Sequence, residues 1–214
     1  MISFKQHLVE KEFRQSREYY VDLIEKHCGP LLREVGGIEY LKGYAVWRGM
    51  RPKDDAFVTV RKDRKPLNSS SYEHRVMVKF FKENFGINHR EESIMATGNY
   101  EVAKGYGNLH AIFPVGDFQF AYSPEREGAD LTYMLRVRAE EAAFELADMD
   151  DVDTYDDEVF ESWKKRNAIR IGMLALHGAD FTDKNFKKGI ESGSELMIHC
   201  DKYIAVPESV WNET

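Results

Sequence analysis

Three polar positions in the sequence stand beside apolar runs that are typical of β-strands. Arg48 and Gly49 end the run "YAVWRG", where a guanidinium can bind a diphosphate bidentately and a glycine lets the backbone approach a ligand closely. Thr97 and Gly98 end "IMATG", where a hydroxyl can orient a neighbouring carboxylate. Glu195 begins "ELMIHC" after the flexible "ESGS", which would place a carboxylate at the mouth of a cleft. These residues are the candidates for binding and catalysis.

An aromatic residue follows the second of these segments. In "ATGNYEVAKGY" a short helix would carry Val102, Ala103 and Tyr106, and the tyrosine ring could stack on a planar heterocycle. Each segment alone also has a plain structural explanation: a surface arginine before a turn, a strand followed by a helix, and an exposed glutamate. The functional interpretation therefore depends on all of them occurring together.

The spacing of apolar residues predicts the elements that must position these side chains. Helices are predicted over 1–34, over 73–84 with Gly86 as the stop, over the short segment that carries Val102 to Tyr106, and over much of 130–177. Strands are predicted over 39–48, 56–60 and 94–95, with two strands within 109–124 and a final strand pair within 195–206. The order of helices, strands, helices and strands predicts an α+β fold. Without repeats or linkers, we expect an N-terminal helical segment at 1–35 and one domain at 36–214 with a helical insertion at about 130–180.

Composition and motifs exclude several classes of function. Lys and Arg total 30 against 37 Asp and Glu, a net charge of -7, so nucleic-acid binding is not expected and any anion site must be local. No apolar stretch reaches the roughly 18 residues that would span a membrane, and the N-terminal apolar segment is too short for a secretory signal. We therefore expect an intracellular protein in which Cys28 and Cys200 are free thiols.

Metal and nucleotide-hydrolysis motifs are missing from the sequence. The histidines lack zinc-site spacing, and adjacent residues such as His199 and Cys200 would point to opposite faces of a strand. The acidic run 148–158 lacks the glycine and the ligand spacing of a calcium loop. The phosphate-binding loop and the nucleophile elbow of hydrolases are also lacking. We predict no metal site.

Taken together, the three segments resemble the mono-ADP-ribosyltransferases of the Arg-Ser-Glu type. "VWRGM" is similar to the arginine strand of that family, and "IMATGNYEVAKGY" to its hydroxyl-triplet segment, with Thr97 in the middle and Ala103 and Tyr106 at the family's spacing. "SGSELMI" is similar to the segment that holds the catalytic glutamate, which is Glu195 here. "RKDRKP" and "NFGINHREESIMATG" resemble small bacteriophage members of the superfamily.

The resemblance implies a fold with two small β-sheets around an NAD cleft, with NAD as a substrate. Arg48 would hold the diphosphate, the backbone of Gly49 would meet the nicotinamide amide, and Thr97, Gly98 and Tyr106 would complete the binding site.

The resemblance also implies the catalytic roles. Glu195 would stabilise the oxocarbenium character that develops on the ribose, and Thr97 would orient Glu195. Arg48, Thr97 and Glu195 are thus the expected catalytic residues.

Departures from the family pattern leave a second interpretation open. Ala96 and Gly98 flank the threonine, so one hydroxyl of the triplet remains, and Gly193 stands where other members have a second Glu or a Gln. A rival glutamate pair, Glu125 and Glu127, has the family's spacing but no apolar strand directly after it. The alternative is a catalytically inactive structural or interaction protein with the same fold.

The N-terminus resembles short segments of tailed-phage head proteins. "LVE" at 8–10 is similar to the cleavage site of a phage prohead protease, although an amphipathic first helix explains the same residues. The combined expectation is a phage-encoded transferase that modifies a host protein or other host macromolecule in the host cytoplasm. Packaging into the virion, with virion proteins as further partners, is compatible with this expectation.

Overall fold

A computed structural model describes residues 15–51, 55–65, 69–124 and 131–212. Its helices are α1 Arg17–His27, α2 Gly29–Val35, a 3-10 turn Ile38–Tyr40, α3 Ser71–Phe85, α4 His89–Glu92, α5 Tyr100–Lys104, α6 Leu131–Met149, α7 Asp157–His177, α8 Phe186–Glu191 and α9 Glu208–Trp211. Its strands are β1 Val46–Met50, β2 Phe57–Thr59, β3 Ile94–Thr97, β4 Asn108–Val115, β5 Gln119–Ala121, β6 Glu195–His199 and β7 Lys202–Pro207. The predicted α+β class is confirmed.

Helix α3 shows how local sequence sets the ends of an element. Ser70 and Glu73 form a capping box, in which the serine hydroxyl accepts from the Glu73 amide and the glutamate accepts from the Ser70 amide. Gly86 ends the helix with φ of 73°, a left-handed conformation that glycine adopts without strain. The predicted stop at Gly86 is therefore confirmed.

The strands of the described residues form one antiparallel sheet in the order β2-β7-β4-β1-β3-β6-β5. The prediction of two separate sheets is therefore wrong for the described residues, which form a single sheet. The two groups of strands are connected where β1 pairs with β3, and that pairing has a single register pair, Trp47 with Thr97. One pair of residues thus joins a four-stranded part to a three-stranded part.

Hydrophobic cores lie on both faces of the three-stranded part. Met95, Met197 and Ala121 are cross-strand neighbours and pack into the core formed with α3, α6 and α7. Ile94 and Ile198, the adjacent residues on β3 and β6, pack into the other core, which includes residues of α1, α2, α8 and β4. This alternation is the period of two that strands impose on side-chain direction.

The N-terminal helices and the long helical pair take different positions around the sheet. Helices α1 and α2 share the core of β4, and the Gly116 amide after that strand donates to the His27 carbonyl at 2.9 Å. Helices α6 and α7 lie between β5 and β6 in the chain, over most of the predicted insertion. In the described parts of the chain, no helix is long and apolar enough to cross a membrane.

Candidate functional site

The three sequence segments singled out above lie on neighbouring strands. Strand β3 lies between β1 and β6, and the register pairs Trp47 with Thr97 and Thr97 with Glu195. Neighbouring strands are about 4.8 Å apart, so Thr97 and Glu195 are direct neighbours. Arg48 follows Trp47, the β1 residue that pairs with Thr97. The fold therefore brings Arg48, Thr97 and Glu195 to one end of three adjacent strands.

Arg48 is half-buried and is fixed at one edge of its guanidinium. Its Nη1 donates to the carbonyl oxygen of Met95 on the neighbouring strand β3. Its Nε is buried and has no hydrogen-bond partner among the described residues. Because a buried N–H is costly to leave without an acceptor, Arg48 is unlike an ordinary solvated charge at a strand end.

Thr97 is 6% exposed, and its hydroxyl both donates a hydrogen bond to the backbone and accepts one from it. The hydroxyl donates to the Gly193 carbonyl at 2.7 Å and accepts from the Asn99 amide at 3.0 Å. The predicted role of orienting the Glu195 carboxylate is corrected by this geometry, because the single hydroxyl proton goes to Gly193. Thr97 instead fixes the segment that leads into β6, two residues before Glu195.

The Glu195 carboxylate contacts the beginning of helix α6. Its Oε2 accepts from the amide of Leu131, the first residue of that helix, at 3.1 Å. A carboxylate is favoured there because the helix dipole places partial positive charge at the N-terminus. Glu195 also borders a narrow cavity of about 10 Å³ together with Ser123, Leu131 and Ser194. The carboxylate is therefore held in one direction, and it also stabilises α6.

Gly49 and Gly98 are required by the packing of the chain on itself. A Cβ atom on Gly49 would lie 2.3 Å from the carbonyl oxygen of Ala103, and one on Gly98 would lie 1.8 Å from that of Ile190. The space next to each glycine, where a cofactor was expected to bind, is thus filled by the protein's own backbone. Glycine at 49 and 98 is explained without a ligand.

Tyr106 lies in the turn after α5, where its main chain packs against Gly49 of β1, and its side chain is 66% exposed. It does not border the larger cavity of about 230 Å³ that lies against β1. That cavity is lined by residues from three segments of the chain, namely Lys42, Gly43, Ala45, Trp47, Gly98, Asn99, Ile190, Glu191 and Gly193. Sequence reasoning missed it, because no single segment contains more than a few of these residues.

Two further arginines near Arg48 were also missed. Burial lowers the pKa of Arg64, Arg48 and Arg90 lower it further, and Glu195 acts in the opposite direction. The four side chains are therefore close enough to interact electrostatically. Arg64 belongs to the basic string "RKDRKP" and Arg90 to "NHREES", and this concentration of arginine was the available signal.

Two sequence predictions concern residues that the structure does not describe. The rival pair Glu125 and Glu127 and the "LVE" segment at 8–10 are outside the described residues. Within the described ranges, no three His, Cys, Asp or Glu side chains are grouped so that they could hold a metal ion.

Comparison with known proteins does not assign this chain to a family. Searches against protein-family models, curated proteins and solved structures found no match to this chain.

Proposed function

We propose that this protein is a phage-encoded, NAD-dependent mono-ADP-ribosyltransferase that modifies a host macromolecule. The observation that carries the proposal is the position of Arg48, Thr97 and Glu195, which are far apart in sequence and lie at one end of three adjacent strands. An arginine with a buried, unpartnered Nε and a carboxylate two strands away are suitable groups for a substrate that has both an anionic diphosphate and a developing positive charge.

In the proposed reaction the bond between the ribose C1′ and the nicotinamide nitrogen breaks. Its electron pair leaves with neutral nicotinamide, and C1′ acquires oxocarbenium character that the Glu195 carboxylate stabilises. A nucleophile of the acceptor then forms a bond to C1′ and loses a proton. Arg48 holds the diphosphate, and Thr97 keeps the chain at Gly193, and hence the start of β6, in place.

The test must separate catalysis from the structural role of Glu195. Glu195→Gln retains a side-chain oxygen that can accept from the Leu131 amide but removes the negative charge. We expect wild type to release nicotinamide from NAD and to transfer label from NAD to a host lysate. Glu195→Gln should lose both activities by about 100-fold or more, in line with the loss of a major electrostatic group, and should unfold at nearly the same temperature.

The control for charge alone is Arg61→Gln, because Arg61 is exposed and its contact is with Asp63. This variant should retain activity, whereas Arg48→Gln should raise the NAD concentration needed for half-maximal rate. Equal nicotinamide release by wild type and Glu195→Gln would remove Glu195 from the mechanism. Failure of wild type to bind NAD at millimolar concentration in calorimetry would refute the proposed activity.

A second candidate function, a non-catalytic structural or interaction protein, is favoured by one observation. Thr97, Gly49, Gly98 and Glu195 each have a partner within the fold that explains their residue type. This candidate predicts neither NAD binding nor nicotinamide release by wild type, so the same experiment distinguishes the two.

A further inference from the structure

The helical pair α6 and α7 carries most of the large apolar side chains that the described residues leave exposed. Ten such side chains are exposed across the described ranges, and six of them lie on these two helices or on the connection between them. They are Tyr133, Val137, Phe144, Met149, Tyr155 and Val159. Single exposed apolar side chains are ordinary on a protein surface, whereas a concentration of them is typical of an interaction site.

Three of these side chains form a row along one side of α6. Tyr133, Val137 and Phe144 are spaced by four and seven residues, and at 3.6 residues per turn such positions lie on one side of a helix. The row is about 17 Å long. The opposite side of α6 packs into the core through residues such as Leu135 and Leu146. The row is therefore a solvent-facing apolar stripe, and its length and spacing suit the packing of a second helix.

The same region concentrates the negative charge of the chain. Residues 140–163 contain eleven Asp and Glu and neither Lys nor Arg. Because the whole chain has a net charge of -7, all other residues together have a net charge of +4 (-7 minus -11). Three of the eleven carboxylates contact a cation, namely Glu140, Asp150 and Glu161. The exposed apolar side chains are thus surrounded by a negative electrostatic potential that is local to this part of the molecule.

Some of these carboxylates oppose the stability of α6. Asp148 is exposed and lies in the last turn of the helix, which contains no basic residue and where the helix dipole places partial negative charge. Glu141 and Glu145 are exposed and four residues apart, a spacing at which like charges repel on a helix surface. The fold therefore gains nothing from these three charges, whereas a positively charged partner would compensate them.

We propose that the apolar stripe of α6, together with the acidic connection at 150–156, forms a docking surface for a basic amphipathic α-helix of a partner protein. The apolar side of such a helix would cover Val137 and Phe144, and its Lys and Arg side chains would meet the surrounding carboxylates. The sign of the charge disfavours nucleic acid and anionic lipid as occupants. It also disfavours a symmetric dimer, because two equally acidic surfaces would face each other. The proposal does not depend on the transferase activity.

The test measures the fluorescence anisotropy of a labelled peptide titrated with the full chain. The probe is a helical peptide of about five turns with Leu along one side and Lys along the other. Two reference peptides replace all Lys by Glu or all Leu by Ser. We expect the Lys/Leu peptide to bind about tenfold or more tightly than either reference peptide, and binding should weaken as the salt concentration rises.

Val137→Gln and Asp148→Asn separate docking from folding. Glutamine favours helix at least as much as valine, and asparagine removes a charge that opposes the helix dipole, so neither variant should melt below wild type. Both should bind the Lys/Leu peptide more weakly, by about fivefold for Val137→Gln and about threefold for Asp148→Asn. Tyr40→Gln is the matched control, because it replaces an exposed apolar side chain outside α6 and α7, and it should bind like wild type.

The outcomes distinguish the occupants of the surface. Equal peptide affinity in wild type, Val137→Gln and Asp148→Asn, or equal affinity of wild type for all three peptides, overturns the proposal. Sedimentation velocity of wild type tests a second copy as the occupant, and dimers that Val137→Gln abolishes would also overturn it. If both variants melt clearly below wild type, these residues serve the fold and the inference fails. Nicotinamide release from NAD should be the same in wild type and both variants, so this inference and the proposed transferase activity can fail separately.

Discussion

Replacing Gly98 with alanine should force the end of β3 and helix α8 apart. The new Cβ would lie 1.8 Å from the Ile190 carbonyl oxygen, 2.7 Å from its carbonyl carbon and 2.9 Å from its Cγ2. The first two are backbone atoms, so no change of rotamer relieves the overlap. Restoring an ordinary contact of 3.4 Å to the oxygen needs a displacement of 1.6 Å (3.4 minus 1.8) between two packed elements.

The displacement sets the expected size of the effect. Inserting one extra carbon into a well-packed region costs about 1–3 kcal/mol of unfolding free energy, and more where the backbone must move. A backbone contact this short belongs at or above the top of that range. Since 1 kcal/mol lowers the melting temperature by about 2–4 °C at this chain length, Gly98→Ala should melt roughly 6–12 °C below wild type.

The assay is thermal and urea unfolding followed by circular dichroism. Gly43→Ala is the matched control, because the nearest atom to its new Cβ is the Tyr40 carbonyl oxygen at 3.6 Å, an ordinary contact. It should melt at or slightly above the wild-type temperature, since alanine restricts the unfolded chain. If Gly98→Ala melts within about 2 °C of wild type, the packing of α8 against β3 is wrong, and a ligand-related reason for this glycine regains support.

Three further predictions concern stability and reactivity. Burial, with a smaller effect of His199, lowers the pKa of His89 from 6.5 to about 4, so the unfolded chain takes up a proton that the folded protein resists. The unfolding free energy should therefore fall as the pH drops from 6.5 to 4, by up to about 1.4 kcal/mol per pH unit, and a flat urea-unfolding profile over this range would contradict it. Arg136 contacts the buried Glu73 and lowers its pKa, so Arg136→Met should reduce the free energy of unfolding in urea by about 1 kcal/mol. An unchanged free energy of unfolding would mean that the ion pair does not form in solution. Burial raises the pKa of Cys28 and of Cys200 to about 12, so a thiol reagent at pH 8 should react with both in urea and with neither in the native protein.

The features that sequence predicted correctly depend on local signals. The stop of α3 at Gly86 follows from the left-handed conformation that glycine favours, and the final strand pair follows from the apolar run after Glu195. Both cysteines are free thiols, as predicted, and both are buried. For the helix stop and the strand pair, the neighbouring residues contain enough information to decide the outcome.

Features that depend on contacts between distant segments were not predicted. Residues 39–45 were expected to begin a strand, but a 3-10 turn covers Ile38–Tyr40 and β1 begins at Val46. Likewise, the single pairing of Trp47 with Thr97 that joins the strands into one sheet has no local signature. The reason for glycine at 98 lies in α8, far along the chain, so the sequence pattern could suggest a glycine-dependent approach but not its partner.

The arginines decide between the two candidate functions better than the residues that first suggested a site. Thr97 and Glu195 have hydrogen-bond partners in the fold, so a non-catalytic protein would retain the same residues for stability. The buried donors of Arg48 and Arg64 have the opposite character, because they cost stability and gain nothing from the described structure. Residues that destabilise a fold are retained where a ligand compensates them. An Arg48→Gln protein that is as stable as wild type but no longer binds NAD would therefore argue for a ligand site even before any reaction is detected.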